Sequence, residues 1–390
     1  MNNIWTIKSA LEWTEGYLAE KGDENPRLSA QWLLSEATGL SRTHLFVNFD
    51  RPLSEEERGV LRDFVRRRGA GEPLQYITGE VAFRHITVKV RPGVLIPRPE
   101  TEVLVSEVLA ALPAPGKREA RWSTEAAEQE REAVEAVKKA LEEAGVASAE
   151  SVGGLAAGGL KPASTKGVAE DIADRPALAD GSATAGDGNV ADRPVGDGFS
   201  RPASAEDAEE AAPARPLLLA DLCTGSGCIA CSLAFEHPDV RVIATDIAPE
   251  AVALARENIE ALGLSDRVAV LQCSLGSGIG EKRLGTFDAV VSNPPYVPAE
   301  VMAALPAEVA DFEPALALDG GADGLDLFRP LVAWAARALK PGGVLACELH
   351  EDHMDAARAV AEAAGFADCR AVNDLTGRPR VLVGRKPPAR

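Results

Sequence analysis

No stretch of this 390-residue chain holds about 18 or more consecutive uncharged apolar residues, so no membrane-spanning helix is expected. Met1 to Lys8 has neither a basic start nor an apolar core and does not read as a secretory leader, which leaves the cytoplasm as the expected compartment. Cysteine is missing from the first 222 residues. The six that follow (Cys223, Cys228, Cys231, Cys273, Cys347 and Cys369) fall in apolar or tight-turn contexts rather than in a spaced framework, and read as small core residues. Cys228 and Cys231 form a C-x-x-C pair, but neither a second pair nor suitably spaced histidines accompany it, so no metal is expected. Basic residues are also scarce, 41 against 60 acidic, for a net charge of −19. The deficit is uneven: −2 over residues 1–112, −8 over 113–215 and −9 over 216–390. An acidic C-terminal half is a poor binder of phosphates, so no direct nucleic-acid substrate is expected. The one basic cluster, Arg58, Arg62, Arg66, Arg67 and Arg68, reads as a solvated helix face.

What is present divides the chain into four stretches. Residues 1–80 show apolar spacing of helical period, and Ser54 with Glu57 makes a capping box ahead of Val60, Leu61, Phe64 and Val65. A small domain of about four helices is predicted. Residues 81–112 begin with the alternation Phe83, Ile86, Val88, Val90, which predicts a β-hairpin. Thr101 is then placed to cap a helix ending near Leu112. Residues 113–215 open with a charged, Ala-rich run from Lys117 to Ala144 that suits one solvated helix. The remainder is rich in Ala, Gly, Asp, Pro and Ser, and only Trp122 and Phe199 are aromatic in the whole stretch. So little apolar area cannot offset the entropy of ordering, and a largely disordered insertion is expected. From 216 to 390, apolar runs of strand length (217–222, 240–245, 269–272, 287–292, 343–348 and 380–384) alternate with helical stretches near 228–236, 249–262, 325–339 and 353–364. That alternation predicts an α/β fold, a mostly parallel sheet covered on both faces.

Two strand ends carry the chemistry. The first predicted strand of the sheet runs into Asp221-Leu222-Cys223-Thr224-Gly225-Ser226-Gly227 and a helix. Glycines at a strand-to-helix turn let a ligand approach the backbone, although a G-x-G turn alone is often only a tight turn. The second strand ends at Asp246, 19 residues after Gly227. A carboxylate there suits the hydroxyls of a ribose, or else merely caps the next helix; the pair together points to a nucleoside cofactor. The fourth strand runs into Asn293-Pro294-Pro295-Tyr296, where two prolines stiffen the corner. These groups suit methyl transfer from a sulfonium to an amide nitrogen. Such a nitrogen is a poor nucleophile, because its lone pair is delocalised into the carbonyl. The Asn293 side-chain oxygen and the Pro294 carbonyl can accept its two N–H bonds and hold it, with Tyr296 shaping the pocket, so that positioning does most of the work.

With these residues in view the chain resembles the protein-(glutamine) methyltransferases that act on bacterial peptide chain release factors. The likeness spans about residues 5–112 and 216–386. It rests on Gln75-Tyr76-Ile77-Thr78-Gly79, on Leu95-Ile96-Pro97-Arg98-Pro99-Glu100-Thr101-Glu102, on the turn from Asp221 to Gly227, on Asn293 to Tyr296, on Phe312-Glu313-Pro314 and on Gly377 to Gly384. The resemblance implies a Rossmann-like class I methyltransferase sheet behind a helical N-terminal domain that recognises the release factor, with a hairpin between them. It implies S-adenosyl-L-methionine as cofactor and the glutamine of a Gly-Gly-Gln loop as substrate. Cys223, Thr224, Gly225, Ser226 and Gly227 would then line the methionine part of the cofactor, Asp246 would hold the ribose, and Asp221 would also be cofactor-binding. Ser274 and Leu275 would lie at the adenine, and Asn293 to Tyr296 would bind the glutamine, Asn293 facing cofactor and substrate alike. A monomer is expected. The sequence departs from the family pattern at Cys223 (usually glycine), Ser274 (usually acidic), Leu275 (often aromatic) and His350 (usually glycine), and in the length of 113–215. Two other readings stay open at this level: a glutamine methyltransferase of a ribosomal protein or an amino methyltransferase of nucleic acid, and a non-catalytic partner-binding protein with a degenerate cofactor site.

Overall fold

The computed structural model describes residues 5–115 and 216–388. The expected insertion, with its solvated helix over 117–144, lies outside the described residues save for 113–115. Five helices open the chain: α1 (Ile7–Glu20), α2 (Pro26–Thr38), α3 (Arg42–Val47), α4 (Glu55–Gly69) and α5 (Leu74–Thr78). Side-chain caps start three of them. Thr6 pairs reciprocally with Ser9, Ser41 accepts from His44 N, and Ser54 forms the expected box with Glu57. The fifth helix, one turn held between Pro73 and a left-handed Gly79, is too short to show a helical period in sequence. Ile7, Leu18, Leu33, Leu34, Leu45 and Val65 close a separate apolar core among these helices. The arginine cluster is not uniformly solvated. Arg68 is half-buried and pairs with Asp23 (2.7 Å) and Glu308 (3.0 Å), and Arg67 pairs with Glu72 (2.6 Å).

The hairpin is β1 (Glu80–Phe83) and β2 (Ile86–Lys89), with Phe83 opposite Ile86. Helix α6 (Thr101–Ala111) follows. Thr101 does not cap it, contrary to expectation: Glu100 holds the N-cap position, Thr101 is the first helical residue, and its side chain turns elsewhere.

Seven strands make the main sheet: β3 (Leu217–Leu222), β4 (Val240–Asp246), β5 (Val268–Gln272), β6 (Phe287–Ser292), β7 (Leu339–Glu348), β8 (Ala367–Asn373) and β9 (Pro379–Arg385). Their order is β5-β4-β3-β6-β7-β9-β8. The first five run parallel, and β9 is antiparallel to both its neighbours. The expected α/β sheet is present, with one strand more than the apolar runs predict. β8 sits at the sheet's end with mostly exposed side chains, so it leaves no apolar run to read. Helices α7 (Cys228–Glu236) and α8 (Pro249–Ala261) join α6 and the hairpin on one face, over Leu219, Val242, Ala289, Val291 and Val344. The short α9 (Ala299–Met302) and α10 (Ala307–Ala310) follow β6. Then α11 (Phe328–Ala338) and α12 (Met354–Ala363) cover the other face, over Leu222, Ile243, Val290 and Leu345. Alternate residues of each strand thus feed opposite cores, as a doubly covered parallel sheet requires. Cys228, Cys231 and Cys347 are buried in these cores, and all six thiols are free. No helix among the described residues is long and apolar enough to cross a membrane.

Candidate active site

Parallel register brings the chemistry to one edge of the sheet. Leu271, Thr245, Leu222, Ser292 and Cys347 lie side by side in register across β5, β4, β3, β6 and β7. The next residue on each chain is Gln272, Asp246, Cys223, Asn293 and Glu348. These ends flank the crevice where the chain order reverses about β3, the place where ligands bind in open parallel sheets. Ser292 pins the centre of the row by donating its hydroxyl to the Leu222 carbonyl at 2.6 Å.

The glycine turn is built by its own hydrogen bonds. Thr224 N donates to Thr245 O (2.9 Å) and Gly227 N to Thr224 O (2.9 Å). Gly225 and Gly227 adopt φ of +57° and +81°, which glycine takes without strain. A β-carbon at Gly227 would stand 3.1 Å from the Ala255 β-carbon on α8, so the close packing of turn and helix also needs glycine. At Gly225 the space is open, with only Val94 Cγ1 near, at 3.9 Å. Cys223 is the departure from pattern, and it holds a left-handed φ of +59°, a conformation that explains why glycine is usual there. The turn keeps its hydrogen bonds around the thiol, so the substitution does not dismantle it. Burial, reinforced by the carboxylate of Asp246, pushes the Cys223 thiol up to about 12, and it stays protonated and unreactive.

Asp246 accepts from Gly225 N at 2.9 Å through one oxygen and from Ala248 N at 3.0 Å through the other. A carboxylate offers about four acceptor positions, so Asp246 keeps capacity for an outside donor. Burial raises its pKa, and these N–H groups draw it back. Asp221 lies wholly beneath the turn. It takes the Thr224 hydroxyl at 2.5 Å and Ala230 N at 3.2 Å through one oxygen, while the other has no partner. Burial pushes it up to about 7. It braces the turn from beneath. The turn after β5 puts Ser274 on the surface, and Leu275, with φ +48°, packs against the apolar face beneath. Ile247, which sequence reasoning passed over, is 54% exposed directly beside Asp246.

On the other side of the crevice Asn293 donates from Nδ2 to Thr101 Oγ1 at 3.2 Å. Pro294 and Pro295 are buried, and the Tyr296 hydroxyl meets Glu348 Oε1 at 3.3 Å. Burial, with the Glu348 carboxyl adding to it, pushes the Tyr296 phenol far up, so it remains a donor. The segment after Tyr296 is tied to the Gly-rich stretch 319–324 by Val297 N to Leu318 O and Gly320 N to Val297 O, both 2.8 Å. A β-carbon on Gly320 would lie 2.6 Å from Tyr296 Cα, so this stretch backs the corner directly. His353 packs on Gly324, and its pKa is lowered by burial, then by His350. Thr101 and Glu348 are the site residues that sequence reasoning missed. Thr101 stands where a helix cap is expected, and Glu348 stands at a strand end with nothing local to single it out.

Comparison with known proteins bears on both halves of the chain. Residues 9–79 match the family model described as PrmC N-terminal domain, and residues 212–308 match the methyltransferase small domain. A release factor glutamine methyltransferase of Geobacter sulfurreducens is 35% identical over 382 residues, covering 98% of this chain and 97% of the relative. Its counterparts from Rhodopirellula baltica and Caulobacter vibrioides are 30% and 31% identical, each covering 98% of this chain and, respectively, 97% and 98% of the relative. Similarity of that extent takes in the helical segment, the hairpin and the whole of the sheet, and the chain belongs to the release factor glutamine methyltransferase family.

Proposed function

We propose that this protein transfers a methyl group from S-adenosyl-L-methionine to the side-chain amide nitrogen of the glutamine in the Gly-Gly-Gln loop of peptide chain release factors. The observation that carries the reading is the pairing of Leu222 with Ser292, because it makes the glycine turn and the Asn293 corner leave neighbouring strands, about 4.8 Å apart. When bound, S-adenosyl-L-methionine would supply an electrophilic methyl group on a sulfonium, whose C–S bond breaks to leave a neutral thioether as the nitrogen–carbon bond forms and the nitrogen's proton passes to solvent. The open ledge at Gly225 and the spare acceptor positions of Asp246 suit the amino-acid and ribose parts of that cofactor. Ile247 and Leu275 offer apolar surface beside it, with Ser274 at the surface. Asn293 Oδ1 and the Pro294 carbonyl hold the two N–H bonds of the substrate amide, and Tyr296 closes the pocket at its side. The helical N-terminal segment is the recognition surface for the release factor.

Mass spectrometry of a release factor incubated with the protein and methyl donor tests this. One methyl group is expected on the Gly-Gly-Gln peptide, and none when that glutamine is alanine. Asn293→Ala lowers the rate by roughly 10²–10³-fold, the usual cost of removing one positioned polar contact to a reacting group. No incorporation at saturating donor overturns the proposal.

A further inference from the structure

A carboxamide can serve as acceptor or donor, and only one of its two orientations at Asn293 presents oxygen to a substrate N–H. The structure supplies a device that selects it. We propose that Thr101 and Glu348 are positioning residues that lock the Asn293 side chain with its nitrogen inward and its oxygen toward the substrate, an assignment that rests on the function proposed above.

Thr101 is buried, and its hydroxyl oxygen receives Asn293 Nδ2 at 3.2 Å. Taken alone that contact is ambiguous, because a hydroxyl can equally donate to an amide oxygen. Glu348 removes the ambiguity. It too is buried, at the end of the strand next to β6, and in its ionised form, which prevails above pH about 7, it only accepts. Tyr296 donates to Oε1 (3.3 Å), while Oε2 is sealed from water with no partner at full hydrogen-bond geometry. Thr101 stands close enough for its hydroxyl to act on the same carboxyl. Turning that proton onto Glu348 satisfies the carboxylate and leaves Thr101 as acceptor alone. Asn293 must then offer nitrogen to it. The chain of contacts runs from Asn293 through Thr101 to Glu348 and back from Tyr296, so both side chains that flank the substrate are held from one buried carboxylate. None of the relay is local in sequence. Thr101 lies 192 residues from Asn293, and Glu348 lies 52 residues from Tyr296. An unlocked carboxamide turns freely and meets the substrate with the wrong end part of the time, which costs rate and leaves the methyl donor's own site intact.

The test compares Thr101→Val, which keeps the shape and loses the hydroxyl, with Thr101→Ser, which keeps the hydroxyl. Methyl transfer to a release factor is followed in single turnover. In parallel, solvent exchange of the Asn293 side-chain NH2 is followed by NMR on asparagine-labelled protein, its signal assigned by its loss in Asn293→Asp. Thr101→Val is expected to slow transfer by roughly 10- to 100-fold and to speed NH2 exchange, with calorimetric donor affinity unchanged. Thr101→Ser recovers both. A valine variant that matches wild type in both readings overturns the proposal. So does an equal loss of rate in the valine and serine variants with NH2 exchange unmoved, the mark of a packing role. If the wild type methylates no release factor, the functional reading falls, and the NH2 exchange still decides the lock by itself.

Discussion

Cys223 carries a side chain where the turn demands a left-handed backbone, and the same torsion limits what else the position tolerates. A β-branched residue is far less at ease there than cysteine. Cys223→Val is expected to destabilise the fold by about 1–3 kcal/mol, while Cys223→Gly stays near neutral, because relief of strain is offset by the greater freedom of glycine in the unfolded chain. Urea titration of the two variants checks this, and equal midpoints would contradict it. Legibility at this scale followed the distance between partners. Asp246 and Asn293 announce themselves as polar residues closing apolar strands, one shortly after the glycine turn and the other before two prolines. Thr101 and Glu348 carry no such local mark. Threonine at a helix start looks like a cap, and only the fold reveals that its hydroxyl faces Asn293 instead.

Among the elements, strands buried on both faces were the most readable, since each must be largely apolar; β3 and β6 match their predicted limits residue for residue. β8 and the one-turn helices α5, α9 and α10 escaped, the first through exposure and the others through shortness. The Asn293–Tyr296 corner is stiff for a reason that its two prolines only begin to explain. The 319–324 stretch lies against its main chain with glycine at the closest approach. Gly320→Ala forces a β-carbon into Tyr296 and must push the corner toward the crevice. Transfer is expected to fall by about 10²-fold, the scale of a displacement near 1 Å, while the donor's dissociation constant stays near that of the wild type. Paired measurement of rate and donor affinity decides it, and loss of donor affinity without loss of rate would count against the account.

Over the whole molecule, two buried carboxyls set part of the response to pH. Burial raises Asp221 from 3.8 and Glu348 from 4.5, each to about 7. A carboxyl raised in this way binds its proton more tightly folded than unfolded. Its contribution to stability is complete below pH about 4 and is lost as pH rises through 7. Asp374, held down to about 2 chiefly by Thr376, contributes in the opposite sense, so the comparison of interest is between variants. Glu348→Gln cannot ionise, and its stability relative to the wild type should increase steadily between pH 5 and pH 8. Denaturation midpoints across that range test the sign, and a constant difference would show that Glu348 does not titrate there. Contacts that join the parts of the described chain, Arg84 with Glu236, Arg98 with Glu313 and Arg68 with Glu308, were invisible in sequence because their partners are more than 100 residues apart. The two described chain ends that flank residues 116–215 have a consequence of their own. The Pro113 carbonyl is 2.9 Å from a ring nitrogen of His237, and Leu217 N bonds to Asp239 O, so both ends meet at the foot of β4, opposite the margin where Asp246 and Asn293 emerge. Chain can therefore be lengthened or shortened at that seam with the reaction machinery a full strand's length away.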